Sequence, residues 1–438
     1  MNPTLNVQPV ARRPFAGILE NFAREIDATV RANGLADGLR AGLRAAILDC
    51  PRHFFVQRYI AQAGGNVHDL ASGSAEAHLG AIYRDIPLGY VDAAGQPMAS
   101  TNSQPSIVLH LLELLDLQPG QRVLEIGSGG GWMLGLIARA VGPTGEAVGV
   151  EIIPALAAQS RQSLAAAGIT NARVHAADGQ AALSGLGQFD RIIFTTGLFE
   201  LPAPFFDAVV PGGLLLAPFQ IKGLGNDVLL LRRTEAGGFR AEASLACCFI
   251  YPTGALACAD YAPRALAETP LWQEVALREV VRLPMPLGRT RYATTPFSLA
   301  TIPLRSFLTK IEPRFTVFGP GGMGVGGAGE GVNPQIAGAA GGSFDVAGIG
   351  LLDEAAGSLA LCNGAELIGF GTTAAADALL GAYHEWARCL MPGIEAFDAT
   401  LWRKAEAPAG AVWAEPRGET VFQWSQKRGW PRLAPSRG

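Results

Sequence analysis

The sequence predicts an α/β fold with a parallel, Rossmann-like sheet, preceded by helices and followed by a second region. Short apolar segments alternate with helical segments between residues 121 and 250, as in βαβ units. A glycine cluster, Gly127–Gly131, separates the first of these apolar segments from the helix after it. The chain has 438 residues, which is enough for roughly two to three domains.

The composition excludes several classes of protein. Lys and Arg number 34 and Asp and Glu number 38, so the net charge of −4 disfavours nucleic-acid binding through bulk charge. Hydrophobic residues make up 49% of the chain and charged residues 16%, a balance that supports sizeable cores rather than disorder. No apolar run approaches the roughly 18 residues of a membrane span. Residues 1–17 lack the apolar segment of a signal peptide.

The cysteines and histidines form neither a metal-binding nor a disulfide pattern. The six cysteines are scattered without a CxxC pair, and only Cys247 and Cys248 are adjacent. The six histidines show no HxH or HxxxH spacing. We therefore expect reduced, mostly buried thiols in a cytoplasmic protein, and no metal.

The N-terminal part of the sequence predicts helices and then loops. Apolar residues recur at helical spacing through residues 14–62, and Pro51 interrupts the pattern. The segment 64–74 is polar and contains glycine. The segment 83–106 is rich in Pro, Gly, Ser and Asn, so it is expected to be a loop. A helix is expected from about Ser106 to Leu117.

The central part predicts strands that alternate with helices. The expected strands are residues 123–126, 147–150, 172–175, 189–195 and 214–218, with two more at 227–232 and 246–250. The expected helices between the first three strands are Trp132–Val141 and 154–167. This alternation indicates a parallel sheet.

Beyond residue 252 the sequence predicts an additional α+β region. Residues 319–350 are very rich in Gly and Ala, which is typical of a flexible linker or surface loop. A hairpin is expected at 348–361 and an amphipathic helix at 377–390. Five tryptophans in the last part of the chain predict a packed tail, with a recognition surface as the alternative: Trp386, Trp402, Trp413, Trp424 and Trp430.

The segment Glu125–Gly131 predicts a nucleotide cofactor. Its glycines allow a sharp turn and a close approach of the ligand to the backbone and the helix N-terminus. Glu151 ends the next strand, where a carboxylate can accept hydrogen bonds from both ribose hydroxyls. Such a pattern fits a dinucleotide or S-adenosylmethionine. The ExGxGxG form and Asp178-Gly179 after the third strand favour S-adenosylmethionine, and Trp132 stands where a GxGxxG motif needs its last glycine.

Several segments resemble the protein-L-isoaspartate O-methyltransferase family, and they occur in the family's order. They are CPRHFF at 50–55, YRDIPL at 83–88, TNSQP at 101–105, residues 123–131, FDRII at 189–193 and PGGL at 211–214. The resemblance covers roughly residues 14–252 and implies a class I methyltransferase domain there, with a helical part at 14–80 and a Rossmann-like core at 81–252. Residues 253–438 are then an accessory region for substrate recognition.

The resemblance also implies a site. The donor would be S-adenosylmethionine, the product S-adenosylhomocysteine, and the acceptor a carboxylate of a peptide or protein. The residues that it implies for cofactor binding are Glu125, Gly127, Ser128, Gly129, Gly131, Glu151, Ile152, Asp178, Gly179 and Thr195. Thr101 and Ser103 would be catalytic, and Ser103 matches the family's functionally important serine. Asn102, Gln104 and Thr196 would bind substrate.

Carboxylate methylation agrees with the absence of an obvious general base in these motifs. A carboxylate has a pKa of about 4 and is already an ionised nucleophile at neutral pH. The protein then has to desolvate and orient it, which a hydroxyl such as Ser103 can assist with one hydrogen bond. Ser103 could also cap the helix that follows it. His53 is expected to be a packed structural residue rather than a catalytic one.

The chain departs from the family pattern on the acceptor side. Residues 89–99 stand where the family has a short glycine-rich loop, and Asn102 replaces an aliphatic residue. Extended relatives of the family methylate an Asp of ribosomally made peptides, and the ester then collapses to an aspartimide or isoaspartate. The leading hypothesis is therefore a methyltransferase for a dedicated precursor peptide. The alternatives are a general repair enzyme, a methyltransferase for another acceptor such as tRNA, and a non-catalytic peptide-binding module.

Overall fold

The computed structural model describes residues 16–61, 65–72, 75–223, 225–284, 301–319, 348–362, 366–411 and 413–433. The described residues fall into two units. The first contains those up to Thr195 together with Asp207–Leu216, and the second contains Thr196–Phe206 and those from Ala217 onward. This division lies earlier in the chain than the expected boundary after residue 252. The accessory role of the later region stays a prediction.

Two helices open the first unit, as the apolar spacing predicts. Helix α1 spans Ala16–Ala32 and buries Leu19, Phe22 and Ile26 along one face. Helix α2 spans Ala41–Asp49 and ends just before Pro51, which cannot continue a helix. A short 3₁₀ turn at 52–55 follows.

A four-stranded antiparallel sheet comes next. Residues 58–60 form one of its strands, which corrects the expectation of helical structure up to residue 62, and residues 88–91 and 97–102 form two more, which correct the expectation of a loop at 83–106. Its strands are β1 (Arg58–Ile60), β2 (Val67–Asp69), β3 (Leu88–Val91) and β4 (Pro97–Asn102), in the order β2-β1-β3-β4, and helix α3 (Ala75–Ile82) lies between β2 and β3 in the chain. The glycine, proline and asparagine content suggested loops, but pairing with distant strands satisfies the backbone and buries Leu88 and Tyr90.

The core of the first unit is the predicted parallel sheet. Its elements are α4 (Pro105–Leu114), β5 (Arg122–Ile126), α5 (Trp132–Val141), β6 (Glu146–Glu151), α6 (Pro154–Ala166), β7 (Ala172–Ala176), β8 (Phe189–Phe194) and the start of β9 (Val209–Gln220). The strand order is β7-β6-β5-β8-β9, with every neighbouring pair parallel. The order reverses between β5 and β8, which is where open α/β sheets bind ligands.

The second unit contains two sets of strands. In the first set the order is β19-β20-β18-β11-β10, from β10 (Asn226–Arg233), β11 (Phe239–Cys247), β18 (Phe397–Arg403), β19 (Trp413–Arg417) and β20 (Thr420–Gln426). The second set is a six-stranded sheet in the order β12-β14-β15-β16-β17-β13, from β12 (Arg264–Ala265), β13 (Glu279–Pro284), β14 (Phe315–Gly319), β15 (Gly348–Asp353), β16 (Ser358–Cys362) and β17 (Glu366–Phe370). Its described α-helices include α8 (Pro270–Val275), α9 (Ile302–Ile311) and α10 (Ala374–Arg388), and α7 (Pro204–Ala208) precedes β9.

The elements in the later part of the chain confirm a predicted hairpin and a predicted helix, and they correct the end of one predicted strand. The hairpin at 348–361 is confirmed as β15 and β16, and the amphipathic helix is confirmed as α10. The strand expected at 246–250 is wrong beyond Cys247, where β11 ends. The glycine-rich segment lies outside the described residues between 320 and 347, and its two flanks are paired strands. Trp424 is buried, and the other four late tryptophans are half-buried.

The six cysteines all lie among the described residues and form no disulfide bond there, and three of them are buried: Cys50, Cys362 and Cys389. No described helix is long and apolar enough to cross a membrane. Within the described ranges, no cluster of three or more His, Cys, Asp or Glu side chains could hold a metal ion.

Candidate cofactor and acceptor site

The glycine turn leaves β5 and is fixed to the end of the neighbouring strand β6. The backbone N–H groups of Gly127 and Ser128 both donate to the carbonyl of Val150, at 2.8 and 3.1 Å. Gly131, the residue before α5, has a φ of 91°, a conformation that side chains disfavour. The sequence therefore forms the predicted turn between a strand and a helix N-terminus.

Glu151 holds the middle of this turn. Its Oε2 accepts a hydrogen bond from the N–H of Gly129 at 2.7 Å, and its Oε1 accepts one from the N–H of Ile153 at 2.8 Å. Burial raises the pKa of Glu151, and these backbone hydrogen bonds act in the opposite direction. Glu151 therefore holds the glycine turn in place, and it is also the residue that is expected to bind the ribose of the cofactor.

Glu125 and Ser128 present buried polar atoms without partners. Glu125 is 2% exposed, and its Oε2 has no hydrogen-bond partner among the described residues, nor does the Ser128 hydroxyl. Burial raises the pKa of Glu125 well above its ordinary value, and the negative charge of Glu151 adds to this effect. Orphaned buried acceptors of this kind call for a ligand with hydrogen-bond donors. The amino and hydroxyl groups of S-adenosylmethionine fit that requirement.

The remaining expected cofactor residues lie at or just beyond the carboxyl ends of the parallel strands. Thr195 follows β8, and its hydroxyl lies within hydrogen-bond distance of the carbonyls of Ile126 and Gly127, at 3.0 and 2.6 Å. Asp178 lies two residues beyond β7 and accepts the N–H of Gln180 at 2.9 Å. Gly179 is buried beside it, and Ile152 directly follows Glu151. The carboxyl ends of neighbouring parallel strands share one edge of the sheet, so the structure places these residues along it.

The two expected catalytic residues lie at the end of β4. Thr101 is in the strand and Ser103 follows it, both half-buried and both without a side-chain hydrogen bond among the described residues. The expected capping role of Ser103 is wrong. Gln104 precedes α4 without a side-chain cap, and the carboxylate of Asp85 instead accepts the N–H of Ser106 at 2.8 Å.

The three residues expected to bind substrate all make internal hydrogen bonds. The Asn102 Oδ1 accepts the Nε–H of Arg52 at 2.6 Å. The Gln104 Nε2 donates to Asp85 Oδ2 at 3.0 Å. Thr196 belongs to the second unit, and its hydroxyl donates to the carbonyl of Ile250 at 3.0 Å. Their substrate-binding role stays a prediction.

Arg52 is a buried residue beside Ser103 that the sequence does not mark as part of a site. Its side chain is 1% exposed, and it donates to five carbonyl oxygens: those of Ile82, Arg84, Ile86, Asn102 and Ser103. Burial lowers the pKa of Arg52 to about 10, so the side chain remains a cation at neutral pH. Its place in the CPRHFF segment was the only signal, and that segment does not reveal its partners.

Two tyrosines, Tyr90 and Tyr83, interact electrostatically with Arg52. Tyr90 lies in a segment expected to be a loop, so nothing in the sequence identified it. Burial raises its pKa to about 12. The Nδ1 of His53 lies 2.6 Å from the hydroxyl of Tyr83, and burial lowers the pKa of His53 to about 4. A neutral histidine in this setting agrees with the expected structural role.

The strand order, the glycine turn and the two buried carboxylates together define a class I, S-adenosylmethionine-dependent methyltransferase. The comparisons with known proteins identify the family. The family model for protein-L-isoaspartate(D-aspartate) O-methyltransferase matches residues 74–256. A protein-L-isoaspartate O-methyltransferase of Pyrococcus horikoshii is 33% identical over 198 residues, which is 45% of this chain and 78% of the relative.

Two further comparisons name the same kind of protein. Protein-L-isoaspartate O-methyltransferase 2 of Rhodopseudomonas palustris is 38% identical over 162 residues, 37% of this chain and 70% of the relative. A solved protein-L-isoaspartate O-methyltransferase structure aligns with a TM-score of 0.46 at 18% identity, covering 86% of this chain and 96% of that one. The chain belongs to the protein-L-isoaspartate O-methyltransferase family, whose members are carboxyl O-methyltransferases that use S-adenosylmethionine.

Proposed function

We propose that the protein methylates an Asp or isoaspartate carboxylate of a dedicated, ribosomally made precursor peptide. The observation that carries this proposal is the β3–β4 hairpin. It stands at the acceptor side, where the resemblance leads one to expect a short glycine-rich loop. A structured hairpin presents a fixed surface, and such a surface favours one peptide over many damaged proteins.

The donor side would be built by the residues already described. The glycine turn would bring backbone N–H groups and the N-terminus of α5 to the ligand, and Glu125 and Ser128 would supply the unpartnered polar atoms. Glu151 would accept from ribose hydroxyls while it holds Gly129. When bound, S-adenosylmethionine supplies a methyl group on a sulfonium, and its transfer to the carboxylate oxygen breaks the carbon–sulfur bond and leaves S-adenosylhomocysteine.

The acceptor side has to orient the carboxylate and keep water away from it. The hydroxyl of Ser103 would donate one hydrogen bond to the oxygen that does not react, which fixes the carboxylate without neutralising it. Thr101 would line the same strand end. No side chain has to remove a proton, because the acceptor is already ionised at neutral pH.

The methyl ester would then react within the peptide. The backbone nitrogen of the following residue attacks the ester carbonyl, methanol leaves, and the nitrogen loses its proton to solvent. The product is a cyclic imide that lacks one water relative to the starting peptide. Water can open this ring to Asp or isoaspartate.

The extent of the match also supports a dedicated substrate. The family model stops at residue 256, and the relative from P. horikoshii matches 45% of the chain. The later residues that the structure describes form strands and helices with their own apolar cluster, which includes Val275, Phe318 and Leu359. We assign to residues 253–438 the recognition of peptide segments away from the reacting carboxylate.

The test is methyl transfer from labelled S-adenosylmethionine to two acceptors in parallel, with detection by mass. One acceptor is a generic isoaspartyl hexapeptide, and the other is an Asp-containing peptide encoded beside this gene. The expected result is a methyl gain or loss of water on the second peptide alone. Methylation of the generic peptide at a comparable rate indicates general repair instead.

A cofactor control separates the remaining outcomes. The Glu151→Ala variant should lose both S-adenosylhomocysteine binding and methyl transfer. If the wild-type protein binds this product yet methylates neither peptide, the proposed substrate is wrong. Stoichiometric binding of the encoded peptide without transfer then indicates a binding module, and transfer to tRNA indicates another acceptor class.

A further inference from the structure

The hydroxyl of Tyr90 lies directly against the glycine turn. It donates to the carbonyl of Phe55 at 3.3 Å and accepts from the Nδ2 of Asn102 at 3.2 Å. A Cβ atom at Gly130 would overlap this hydroxyl and would lie 2.9 Å from the Phe55 carbonyl. Tyr90 and the Phe55 carbonyl therefore leave no room for a side chain at Gly130, and the turn lies close against Tyr90.

Asn102 connects Tyr90 to Arg52 and to the backbone of Ser103. Arg52 donates through Nε to the Asn102 Oδ1 at 2.6 Å, and its Nη2 lies 3.0 Å from the carbonyls of both Asn102 and Ser103. The same guanidinium lies over the ring of Trp132, the first residue of α5, at 5.3 Å. A buried series of hydrogen bonds through Asn102 and Arg52 thus connects Tyr90, which lies against the glycine turn, to the backbone of Ser103.

The two segments also pack against each other directly. A Cβ at Gly129 would lie 3.4 Å from the Ser100 hydroxyl and 3.9 Å from the Thr101 carbonyl. Because β4 leaves so little free space beside Gly129, a ligand that displaced the turn would also displace the strand end. An aliphatic residue at position 102 could neither accept from Arg52 nor donate to Tyr90.

We propose that Tyr90 and Asn102 are positioning residues that couple cofactor occupancy of the glycine turn to the placement of Ser103. Through this coupling the protein accepts only carboxylates presented in one orientation. The inference rests on the proposed function insofar as Ser103 contacts the acceptor. It adds a specificity device that depends on Asn102, which stands where the family pattern has an aliphatic residue.

The variants Tyr90→Phe and Asn102→Leu test this coupling with little change of volume. We expect the kcat for the acceptor that the wild type methylates to fall about tenfold to hundredfold, since small displacements of reacting groups cost rates of this order. The KM for S-adenosylmethionine should stay within about threefold. The double variant should be little worse than either single variant, because both interrupt one chain of contacts.

Tyr59→Phe is the matched control. Tyr59 is buried in β1, opposite Tyr90 in the β1–β3 register, and its hydroxyl lies 3.4 Å from the Nδ1 of His78. The Tyr59→Phe variant removes a tyrosine hydroxyl from the same sheet and leaves the hydrogen bonds among Tyr90, Asn102 and Arg52 in place. An equal loss of kcat in Tyr59→Phe would show a general effect on the sheet and would overturn the proposal.

Hydrogen exchange gives a readout that needs no acceptor. S-adenosylhomocysteine should slow exchange across residues 97–103 in the wild type and in Tyr59→Phe, but not in Tyr90→Phe or Asn102→Leu. Calorimetry should show that all four proteins still bind this probe, so that a missing effect on exchange cannot come from an empty site. Equal slowing in all four, or additive effects in the double variant, contradicts the coupling. A wild type that methylates neither peptide contradicts the proposed function while exchange still decides the coupling.

Discussion

Glu151 accepts the backbone N–H of Gly129 through Oε2 at 2.7 Å. Its other oxygen accepts the N–H of Ile153, at the start of α6. One carboxylate at the end of β6 therefore holds both the glycine turn and the start of helix α6 in place. The residue that the sequence suggests as a ribose ligand also builds the structure in which the ribose would lie.

Replacing Glu151 with Gln removes one of these two acceptors and the charge. We expect the dissociation constant of S-adenosylhomocysteine to rise about tenfold to hundredfold, because hydrogen bonds to charged groups contribute roughly 1.5–3 kcal/mol. Isothermal calorimetry measures this change. Glu146→Gln is the matched control, since Glu146 begins the same strand and pairs with Arg122 at the surface. Similar weakening in both variants would contradict a specific role for Glu151.

The raised pKa of Glu125 predicts a pH-dependent stability. Folded protein retains this proton where the unfolded chain has lost it, so the free energy of unfolding falls as the pH rises through the raised pKa. Glu125→Gln removes the titration. Relative to the wild type, its stability should therefore improve as the pH rises above about 4, the ordinary pKa of a glutamate, until the raised pKa of Glu125 is passed. Urea unfolding at several pH values measures the difference, and a difference that does not change with pH would refute the prediction.

Local sequence patterns predict the parallel sheet of the first unit well and its four-stranded antiparallel sheet poorly. Helix α5 has the expected bounds, Trp132–Val141, because its apolar spacing and the glycine before it are local signals. Strands β3 and β4 form through pairing with each other and with β1, which no local pattern records. Their glycine and proline content therefore suggested a loop.

The same distinction applies to the site. Glu125, Glu151 and the glycines belong to a motif, so its spacing and its place between a strand and a helix are enough to predict them as cofactor residues. Arg52 lies 50 residues from Asn102 in the chain, and only the fold brings their side chains together. The internal hydrogen bonds of Asn102 likewise depend on Arg52 and Tyr90, so the sequence could suggest a departure at position 102 but not its partners.

Ser103 is the residue whose hydroxyl should act on the acceptor. We expect Ser103→Ala to lower kcat/KM about tenfold to hundredfold, the effect of one hydrogen bond to a charged group. The melting temperature and the affinity for S-adenosylhomocysteine should not change, because the described residues make no hydrogen bond to this side chain. Ser425→Ala, at an exposed position of β20, is the control. Wild-type kinetics in Ser103→Ala would exclude the hydroxyl from the reaction.

The second unit contains a buried ion pair between Lys310 and Asp227, and removing its cation should lower the free energy of unfolding of this unit. The Lys310 Nζ lies 2.5 Å from the Asp227 Oδ2, both side chains are at most 3% exposed, and the Ser306 hydroxyl donates to the same oxygen at 2.9 Å. Lys310→Met leaves the carboxylate buried without its cation, which should cost about 3–5 kcal/mol of unfolding free energy.

Adding Asp227→Asn to Lys310→Met should restore much of that stability, because the double variant no longer buries an uncompensated charge. Urea unfolding followed by tryptophan fluorescence measures the effect, since Trp424 lies 4.5 Å from the Lys310 ammonium. Arg282→Met, which breaks an exposed pair with Glu366, should leave the transition unchanged. If Lys310→Met unfolds at the same urea concentration as Arg282→Met, the buried pair does not stabilise this unit.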